Sequence, residues 1–232
     1  MTSNRKLTRN IPCKSAVYLS SKTINLFKSF LKKKHEISGR LVPKTVKSSH
    51  SFIIDSKKLK NGGKDETDII EHRYTFHTHP KEAYIMYNTE LGFPSKSDFE
   101  VYLESFINFQ NILHLVVTLE GVYAMSINPY FFGKKISKRE GNKYISKYFS
   151  IDKQDFTKKK GIKKCGVLIK TPAQFVRYVN KKSYKNKRTL FKLKFIPWNK
   201  IHTTRLLFYY PKINNKCIIS EDKIKDRKFV IN

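Results

Sequence analysis

The sequence has no long apolar run, few cysteines and few acidic residues. No apolar stretch approaches the roughly 20 residues that a membrane-spanning helix needs. The N-terminal segment is positively charged but has no apolar stretch behind it, so we expect no secretory signal peptide. These absences predict an intracellular protein that is neither secreted nor membrane-embedded.

The cysteines are too few and too scattered to form a recognisable framework. The chain has three of them, Cys13, Cys165 and Cys217. Their number is odd, and no two have the spacing of a metal-binding pair. We therefore expect no disulfide framework, which is typical of a protein from a reducing compartment.

Acidic residues are scarce compared with basic ones. The 232 residues include 48 Lys and Arg but only 18 Asp and Glu, which gives a formal net charge of +30. This surplus predicts attraction to nucleic acid or another polyanion. The alternative is compositional drift, because the excess is mostly Lys and is spread along the chain. Segment 181–198 is the best candidate for such contacts, since its basic residues alternate with Tyr184, Phe191, Phe195 and Trp198.

The content of apolar residues allows a packed core. Hydrophobic residues make up 39% of the chain and aromatic residues 13%. The order of apolar patterns is helix, strands, helix, strands, helix, strands, which predicts a mixed α/β layered fold. We expect a basic N-terminal arm over residues 1–20, a main domain over 21–150 and a basic C-terminal extension of unknown role over 151–232.

Helix starts and strands can be read from local patterns. Apolar periodicity predicts helices that begin at Ser21 and Ser95, and Thr171 followed by Pro172 is typical of a third start. Pro43 is expected to end the first strand after the first helix. Strands are predicted around residues 37–42, 51–54, 73–79, 112–118, 122–127, 190–196 and 205–210.

Three short motifs carry side chains suited to metal chemistry. In the first, His77 and His79 would point to the same face of a strand that stops at Pro80. Two neighbouring imidazoles are a suitable start for a zinc site. Taken alone, such a pair is more often structural than metal-binding.

The second motif combines Ser95 and Asp98 at a predicted helix start. Its simplest interpretation is a capping box, in which Ser95 caps the helix and Asp98 bonds back to the cap. A carboxylate in the first turn can also serve as a third metal ligand. Two His and one Asp would leave a fourth tetrahedral position open for water, which is the pattern of a catalytic zinc site.

The third motif places Glu36 three residues before Gly39, with Leu41 following. A glutamate at the start of a strand is usually a solvated end residue. Gly39 lacks a side chain, so another group can approach closely there.

In this order the three motifs resemble the JAMM family of metalloproteases, also called MPN+ or JAB1/MPN/Mov34. That family is marked by a Glu in E-x-x-G-x-L, then H-[ST]-H-P, then S-x-x-D. A hydrophobic strand follows, and residues 115–118 match it here. The resemblance covers about residues 23–128 and implies a JAMM/MPN-like mixed-sheet domain with flanking helices.

The resemblance also implies roles for five residues. His77, His79 and Asp98 would bind one Zn²⁺ per chain, Glu36 would be the general base, and Ser95 would donate to the oxyanion. The implied activity is that of a zinc-dependent isopeptidase, a deubiquitinase-like hydrolase. Its substrate would be ubiquitin or a ubiquitin-like protein attached to lysine.

One departure from the family pattern leaves alternatives open. The spacer over residues 81–93 is longer than usual and could either line a substrate groove or cover the metal. Such an aromatic-rich spacer resembles the JAMM-like proteins of large DNA viruses, which implies a location in the host cytoplasm or nucleus, or in a virion. A catalytically silent JAMM-fold scaffold or virion component is one alternative, and a basic nucleic-acid-binding protein is the other. The oligomeric state stays open.

Overall fold

The computed structural model describes residues 12–46, 49–63, 70–149, 156–157, 161–164 and 167–212, together with Cys217 and Ile219. Within these residues the fold is mixed α/β, with a curled mixed sheet and several helices. No helix in this part of the chain is both long and apolar enough to cross a membrane.

Twelve strands can be assigned in the described part of the chain. They are β1 (Cys13–Leu19), β2 (Ile37–Val46), β3 (Ser49–Ile54), β4 (Lys60–Asn61), β5 (Tyr74–Thr78), β6 (Leu113–Val117), β7 (Gly121–Ile127), β8 (Phe156–Thr157), β9 (Gly161–Lys164), β10 (Val167–Ile169), β11 (Phe191–Pro197) and β12 (Leu206–Tyr210). The main, 9-stranded sheet has the order β11-β7-β6-β5-β2-β3-β1-β12, with β4 paired to β2. Strands β8 to β10 form a separate, 3-stranded sheet.

Helices flank the sheet and begin where capping residues allow. They are α1 (Ser21–Phe30), α2 (Lys81–Tyr87), α3 (Lys96–Phe109), α4 (Lys138–Phe149) and α5 (Pro172–Lys181). The three predicted helix starts are confirmed. Ser20 caps α1, and capping boxes open both α3 and α5.

The connection between β5 and β6 decides where the candidate site forms. These two strands are parallel, so the chain must cross over between them. Helices α2 and α3 make up that crossover. The carboxyl end of β5 and the start of α3 therefore lie close together, at the same end of the strands.

The sheet is buried on both faces, and alternate residues of β6 show it. Leu115 and Val117 pack into one hydrophobic cluster together with Phe27 of α1. Val116, between them, packs into a second cluster with Phe99 of α3. A strand buried on both faces is largely apolar, which explains why residues 112–117 are all apolar except His114.

The predicted domain boundaries do not coincide with edges of the sheet. Residues 1–11 of the predicted arm lie outside the described residues, but Cys13–Leu19 is a strand between β3 and β12. Within the predicted C-terminal extension, β11 pairs with β7 and β12 pairs with β1. The pairing of these strands could not be predicted from the sequence, because each pairs with a strand that is distant along the chain.

The expectation of no disulfide is wrong for one pair of cysteines. Cys13 at the start of β1 is bonded to Cys217, at a sequence separation of 204 residues. Tyr210, at the end of β12, is opposite Cys13 in the β1–β12 pair, and Cys217 follows seven residues later. Because two of the three cysteines are paired, the cysteines no longer indicate a reducing compartment.

Pro43 does not end β2, which runs on to Val46. Pro43 pairs with Phe52 of β3, whereas pairing to β5 reaches only as far as Arg40 and Thr75. Beyond Arg40 the strand has one paired neighbour, so the missing N–H of proline costs no ladder hydrogen bond there.

Two helices were not predicted from the sequence. Helix α4 buries Tyr144, Ile145 and Phe149, but most of its other residues are charged or polar, so its apolar stripe is weak. Helix α2 occupies the first half of the long spacer and buries only Ala83 and Tyr84.

Candidate metal centre

The two histidines of the first motif lie at the end of β5. His77 is within the strand and His79 follows it, and the His79 N–H donates to the Val117 carbonyl at 2.8 Å. That bond continues the β5–β6 ladder by one residue, so both imidazoles project to the same face. Their Nε2 atoms lie 3.0 Å apart.

Asp98 reaches the same point from the first turn of α3. Its Oδ1 lies 3.0 Å from His77 Nε2, and its Oδ2 lies 3.4 Å from His79 Nε2. The Ser95 N–H donates to Asp98 Oδ2 at 2.5 Å, which completes the capping box. The carboxylate therefore caps the helix and faces both imidazoles, so the capping interpretation and the ligand interpretation hold together.

The three side chains make a group that could hold a metal ion. One nitrogen from His77, one from His79 and one oxygen of Asp98 all lie within 4.8 Å of one another. At most 13% of each of these three side chains is exposed to solvent. Two imidazole nitrogens and a carboxylate oxygen suit a borderline metal ion, and three protein ligands leave a coordination position for water.

Electrostatics within the group favour a bound cation. Burial alone would lower the pKa of His79, but the Asp98 carboxylate, with help from Glu36, raises it to about 9. Burial alone would raise the pKa of Asp98, but His77 and His79 hold it well below its usual range. Without a metal the group therefore keeps a proton beside a buried carboxylate, and a divalent cation would replace that proton.

Glu36 is brought to the group by strand register. Strands β2 and β5 are antiparallel, and Ser38 is opposite His77. Glu36 lies two residues before Ser38 and immediately before β2, so it is opposite His79 and on the same face. Glu36 is buried, and its Oε1 lies 4.0 Å from His79 Nε2. Glu36 therefore lies beside the possible ligands.

Gly39 permits the close strand pairing that sets this register. It is opposite Phe76 on β5. A Cβ at residue 39 would lie 2.7 Å from Phe76 Cε1 and 2.9 Å from Leu59 Cδ2. The expected close approach is confirmed, and the approaching group is the Phe76 ring.

Ser95 lies next to the three possible ligands. Its Oγ accepts from the Asp98 N–H at 3.2 Å and lies 2.7 Å from the Ser97 hydroxyl. The residue is half-buried. Because the helix cap uses Oγ as an acceptor, the hydroxyl proton of Ser95 can still be donated.

A buried chain of polar side chains extends from His77 away from the candidate ligands. His77 Nδ1 lies 2.7 Å from His114 Nε2, and His114 Nδ1 lies 2.7 Å from Thr75 Oγ1. Asn111 donates to Thr75 Oγ1 at 2.6 Å. Burial, and then the nearby His77 ring, lower the pKa of His114 to about 3, so His114 is neutral and its Nε2 can accept a hydrogen from His77.

No local pattern in the sequence indicates the contact between His77 and His114. Thr75 is opposite His114 in the parallel β5–β6 pair, which places His114 on the same face as His77. The register of a parallel pair separated by a long crossover leaves no local signal. His35, His50, His72 and His202 are absent from the candidate metal group.

The long spacer holds the second histidine. Gly92 is hydrogen-bonded to the His79 ring through its carbonyl, and its N–H donates to Glu120 Oε1 at 3.2 Å. Tyr84 donates to Glu120 Oε2 at 2.7 Å, and its hydroxyl accepts from the Leu119 N–H at 3.0 Å. The spacer is thus fastened to the β6–β7 turn at the point where it contacts His79.

Comparison with known proteins adds a viral relative of unassigned activity. No family model matches the chain. Over 123 residues it is 24% identical to a protein of Frog virus 3 (isolate Goorha) named "Uncharacterized protein 3R". The match covers 50% of this chain and 27% of the relative, so the chain spans about a quarter of that protein's length.

Proposed function

We propose that the protein is a zinc-dependent isopeptidase of the JAMM type. The observation that carries this proposal is the convergence of His77, His79 and Asp98, with Glu36 4.0 Å from His79 Nε2. These four residues come from three separate motifs. A chance similarity of short motifs would not be expected to bring them together in one buried cluster.

We further propose that the layering is that of the JAMM/MPN fold. The curled sheet has α1 packed into one hydrophobic cluster and α3 into the other. The possible ligands lie at the edge between β5 and α3, as the family motif requires. This interpretation also assigns the site residues a common evolutionary origin with that family.

Zinc fits the donor set best, and one ion per chain is proposed. His77 and His79 would provide nitrogen, Asp98 would provide oxygen, and a fourth position would remain for water. When bound, the metal supplies a water whose pKa is lowered from 15.7 to about 7.

Glu36 is proposed to move the proton during hydrolysis. Its carboxylate accepts a proton from the attacking water, whose oxygen forms a bond to the carbonyl carbon. The carbon–nitrogen bond then breaks, and Glu36 returns the proton to the leaving amine. The proton of the new carboxyl group also passes to the amine, so the products are a carboxylate and a lysine ammonium, and atoms and charge balance. A buried carboxylate near His79 is well suited to this exchange.

Ser95 is proposed to stabilise the oxyanion. Its hydroxyl can donate while its oxygen accepts from the Asp98 N–H. A donor held in place by a helix cap needs little reorganisation as charge develops on the carbonyl oxygen.

The proposed substrate is ubiquitin or a ubiquitin-like protein joined to lysine. The extended tail of such a protein can dock by adding a strand to a sheet edge. Ile85 and Met86 of α2 are exposed, although both are large and apolar, and they offer a contact surface next to the histidine motif. The viral relative supports the proposed location in a host cell or a virion.

The test is metal content and cleavage measured on the same full-length preparation. Elemental analysis should find about one zinc per chain. Di-ubiquitin and ubiquitin-like conjugates should be cleaved, and His77→Ala should lose both zinc and activity. His202→Ala, at an exposed histidine outside the group, is the matched control. Equal zinc in wild type and His77→Ala would remove the proposal, whereas zinc without cleavage would favour the scaffold alternative.

A further inference from the structure

Basic residues occur along the whole chain, but the later part has very few acidic residues to offset them. Residues 156–220 contain no Asp or Glu, and residues 121–151 contain only Glu140. Surfaces built from these segments therefore have almost no carboxylates of their own. Compositional drift alone would not be expected to gather basic residues on one face. Their arrangement in the fold therefore helps to distinguish drift from a functional surface.

Three contacts bring these segments together beside α4. Lys185 Nζ lies 2.7 Å from Glu140 Oε2, which joins the turn over residues 182–188 to the helix. Tyr144 donates to the Lys182 carbonyl at 2.7 Å. Asn186 donates to the Tyr130 hydroxyl at 2.9 Å. We call the surface formed by residues 130–134, α4 and residues 182–188 the α4 face.

Two tyrosines on the α4 face each have two cations near the ring. Lys134 Nζ is 3.1 Å and the Arg188 guanidinium carbon 5.7 Å from the centre of the Tyr130 ring. Lys147 Nζ and Lys182 Nζ are 5.2 and 5.3 Å from the centre of the Tyr148 ring. Both rings are half-buried, so part of each remains accessible.

The only carboxylate supplied by these segments is already engaged. Glu140 forms an ion pair with Lys185, so the negative charge of Glu140 is neutralised. The exposed basic side chains that remain on the face are Lys134, Arg139, Lys143, Lys147, Lys187 and Arg188. The face therefore presents positive charge interleaved with aromatic rings.

We propose that the α4 face binds single-stranded nucleic acid. Phosphates would contact the Lys and Arg side chains, and unpaired bases would stack on Tyr130 and Tyr148. Binding to an anionic membrane is disfavoured, because the exposed large apolar residues of the described chain, Ile85, Met86, Leu119, Leu207 and Tyr209, are not on this face.

Of the four aromatic residues chosen from the sequence, only Tyr184 belongs to the α4 face, where it is half-buried with Lys185 Nζ 5.5 Å from the centre of its ring. Phe191 is fully buried in the core. The Trp198 indole donates to the Thr118 carbonyl at 3.1 Å and packs against the first hydrophobic cluster. Trp198 therefore packs against the core and is not part of the α4 face. The face also contains Tyr130 and Tyr148, of which neither lies in segment 181–198.

The test compares two variants with the same loss of charge. The face variant is Lys134→Gln/Lys147→Gln/Arg188→Gln, and the control is Lys22→Gln/Lys32→Gln/Lys33→Gln, at exposed residues of α1 and the segment after it. Anisotropy of a fluorescein-labelled single-stranded oligonucleotide gives affinity at several salt concentrations. The face variant should bind at least about tenfold more weakly, and its log–log salt slope should fall by about 2, since each phosphate contact on a single strand contributes about 0.7.

Stacking is tested separately from charge. Tyr130→Leu/Tyr148→Leu should lower affinity about tenfold while leaving the salt slope unchanged, and Tyr130→Phe/Tyr148→Phe, which keeps both rings, should bind like wild type. Equal losses in the face and control variants would overturn the proposal. So would undetectable binding at low salt, or competition by heparin or duplex DNA as effective as that by the single strand. None of these outcomes depends on the isopeptidase proposal.

Discussion

His77 and His114 lie ring against ring, with 2.7 Å between His77 Nδ1 and His114 Nε2. His114 is neutral, and when its Nδ1–H donates to Thr75 Oγ1 its Nε2 can accept from His77 Nδ1. In that tautomer His77 Nε2, on the side of Asp98 and His79, can bind a metal. His114 is thus placed to orient the candidate ligand.

Removing His114 should weaken metal binding without removing a ligand. We expect His114→Ala to lower zinc affinity about 10–100-fold, the usual effect of losing such a supporting partner. His114→Gln keeps a hydrogen-bond acceptor and should recover part of the loss. Competition with a chromophoric chelator measures the affinity, and the absorption spectrum of the Co²⁺-loaded protein reports the geometry.

His50→Ala is the control for that series, because His50 contacts Thr45 far from the group. Thermal melting of the metal-free variants separates folding from binding. A His114→Ala protein that is folded and binds zinc as tightly as wild type would show that His77 needs no such partner.

The spacer should behave as a support for His79. Tyr84 and Gly92 both bond to Glu120, so Glu120→Ala should release Gly92 from its place against the His79 ring. We expect lower zinc affinity and lower cleavage for this variant. Glu82→Ala, an exposed acidic residue on the same helix α2, is the control.

A lid would give the opposite result. If the spacer covered the metal and blocked substrate, shortening residues 85–89 would raise cleavage while zinc content stayed the same. The contacts of Gly92 with His79 and Glu120 instead predict that such a deletion lowers zinc content. Increased cleavage by the shortened protein would contradict this prediction.

Zinc affinity should rise with pH across the neutral range. The Asp98 carboxylate raises the pKa of metal-free His79 to about 9, so below that pH a proton must leave before the ring can bind a metal. Apparent affinity should increase about tenfold per pH unit below the pKa and level off above it. Calorimetry in buffers of different ionisation enthalpy should detect about one released proton. Affinity that is constant with pH would mean that His79 is already neutral or does not bind the metal.

The disulfide should contribute to stability. Cys13→Ser removes a covalent link between the start of β1 and the segment after β12. We expect the free energy of unfolding to fall by about 2–4 kcal/mol, the typical effect of losing a disulfide that closes a long loop. Denaturant unfolding with and without a reductant measures this. Reductant should destabilise wild type but leave Cys13→Ser unchanged, and equal destabilisation of both proteins would be the contrary outcome.

Local chemistry made part of the site predictable. Ser95 and Asp98 lie three residues apart at a helix start, so their reciprocal hydrogen bonds follow from the geometry of one helical turn. His77 and His79 share a face because strand side chains alternate. Such features depend on neighbours in sequence, and the sequence therefore contains all the information they require.

Contacts between strands that are distant in sequence could not be predicted from local patterns. The position of His114 depends on the parallel register of β5 and β6, and that of Glu120 depends on where α2 folds back. Cys13 meets Cys217 only because β1 pairs with β12. No local periodicity encodes these pairings, since each arises from packing of the whole sheet.

Glu36→Gln separates an isopeptidase from a silent scaffold, because it removes a proton acceptor and keeps the shape of the side chain. Zinc content and cleavage of di-ubiquitin and ubiquitin-like conjugates are measured together on wild type and variant. We predict that the variant retains about one zinc and the fold but loses cleavage by at least about 10²–10⁴-fold, the usual worth of general acid–base catalysis. A folded, zinc-loaded Glu36→Gln protein that cleaves as fast as wild type would contradict the account.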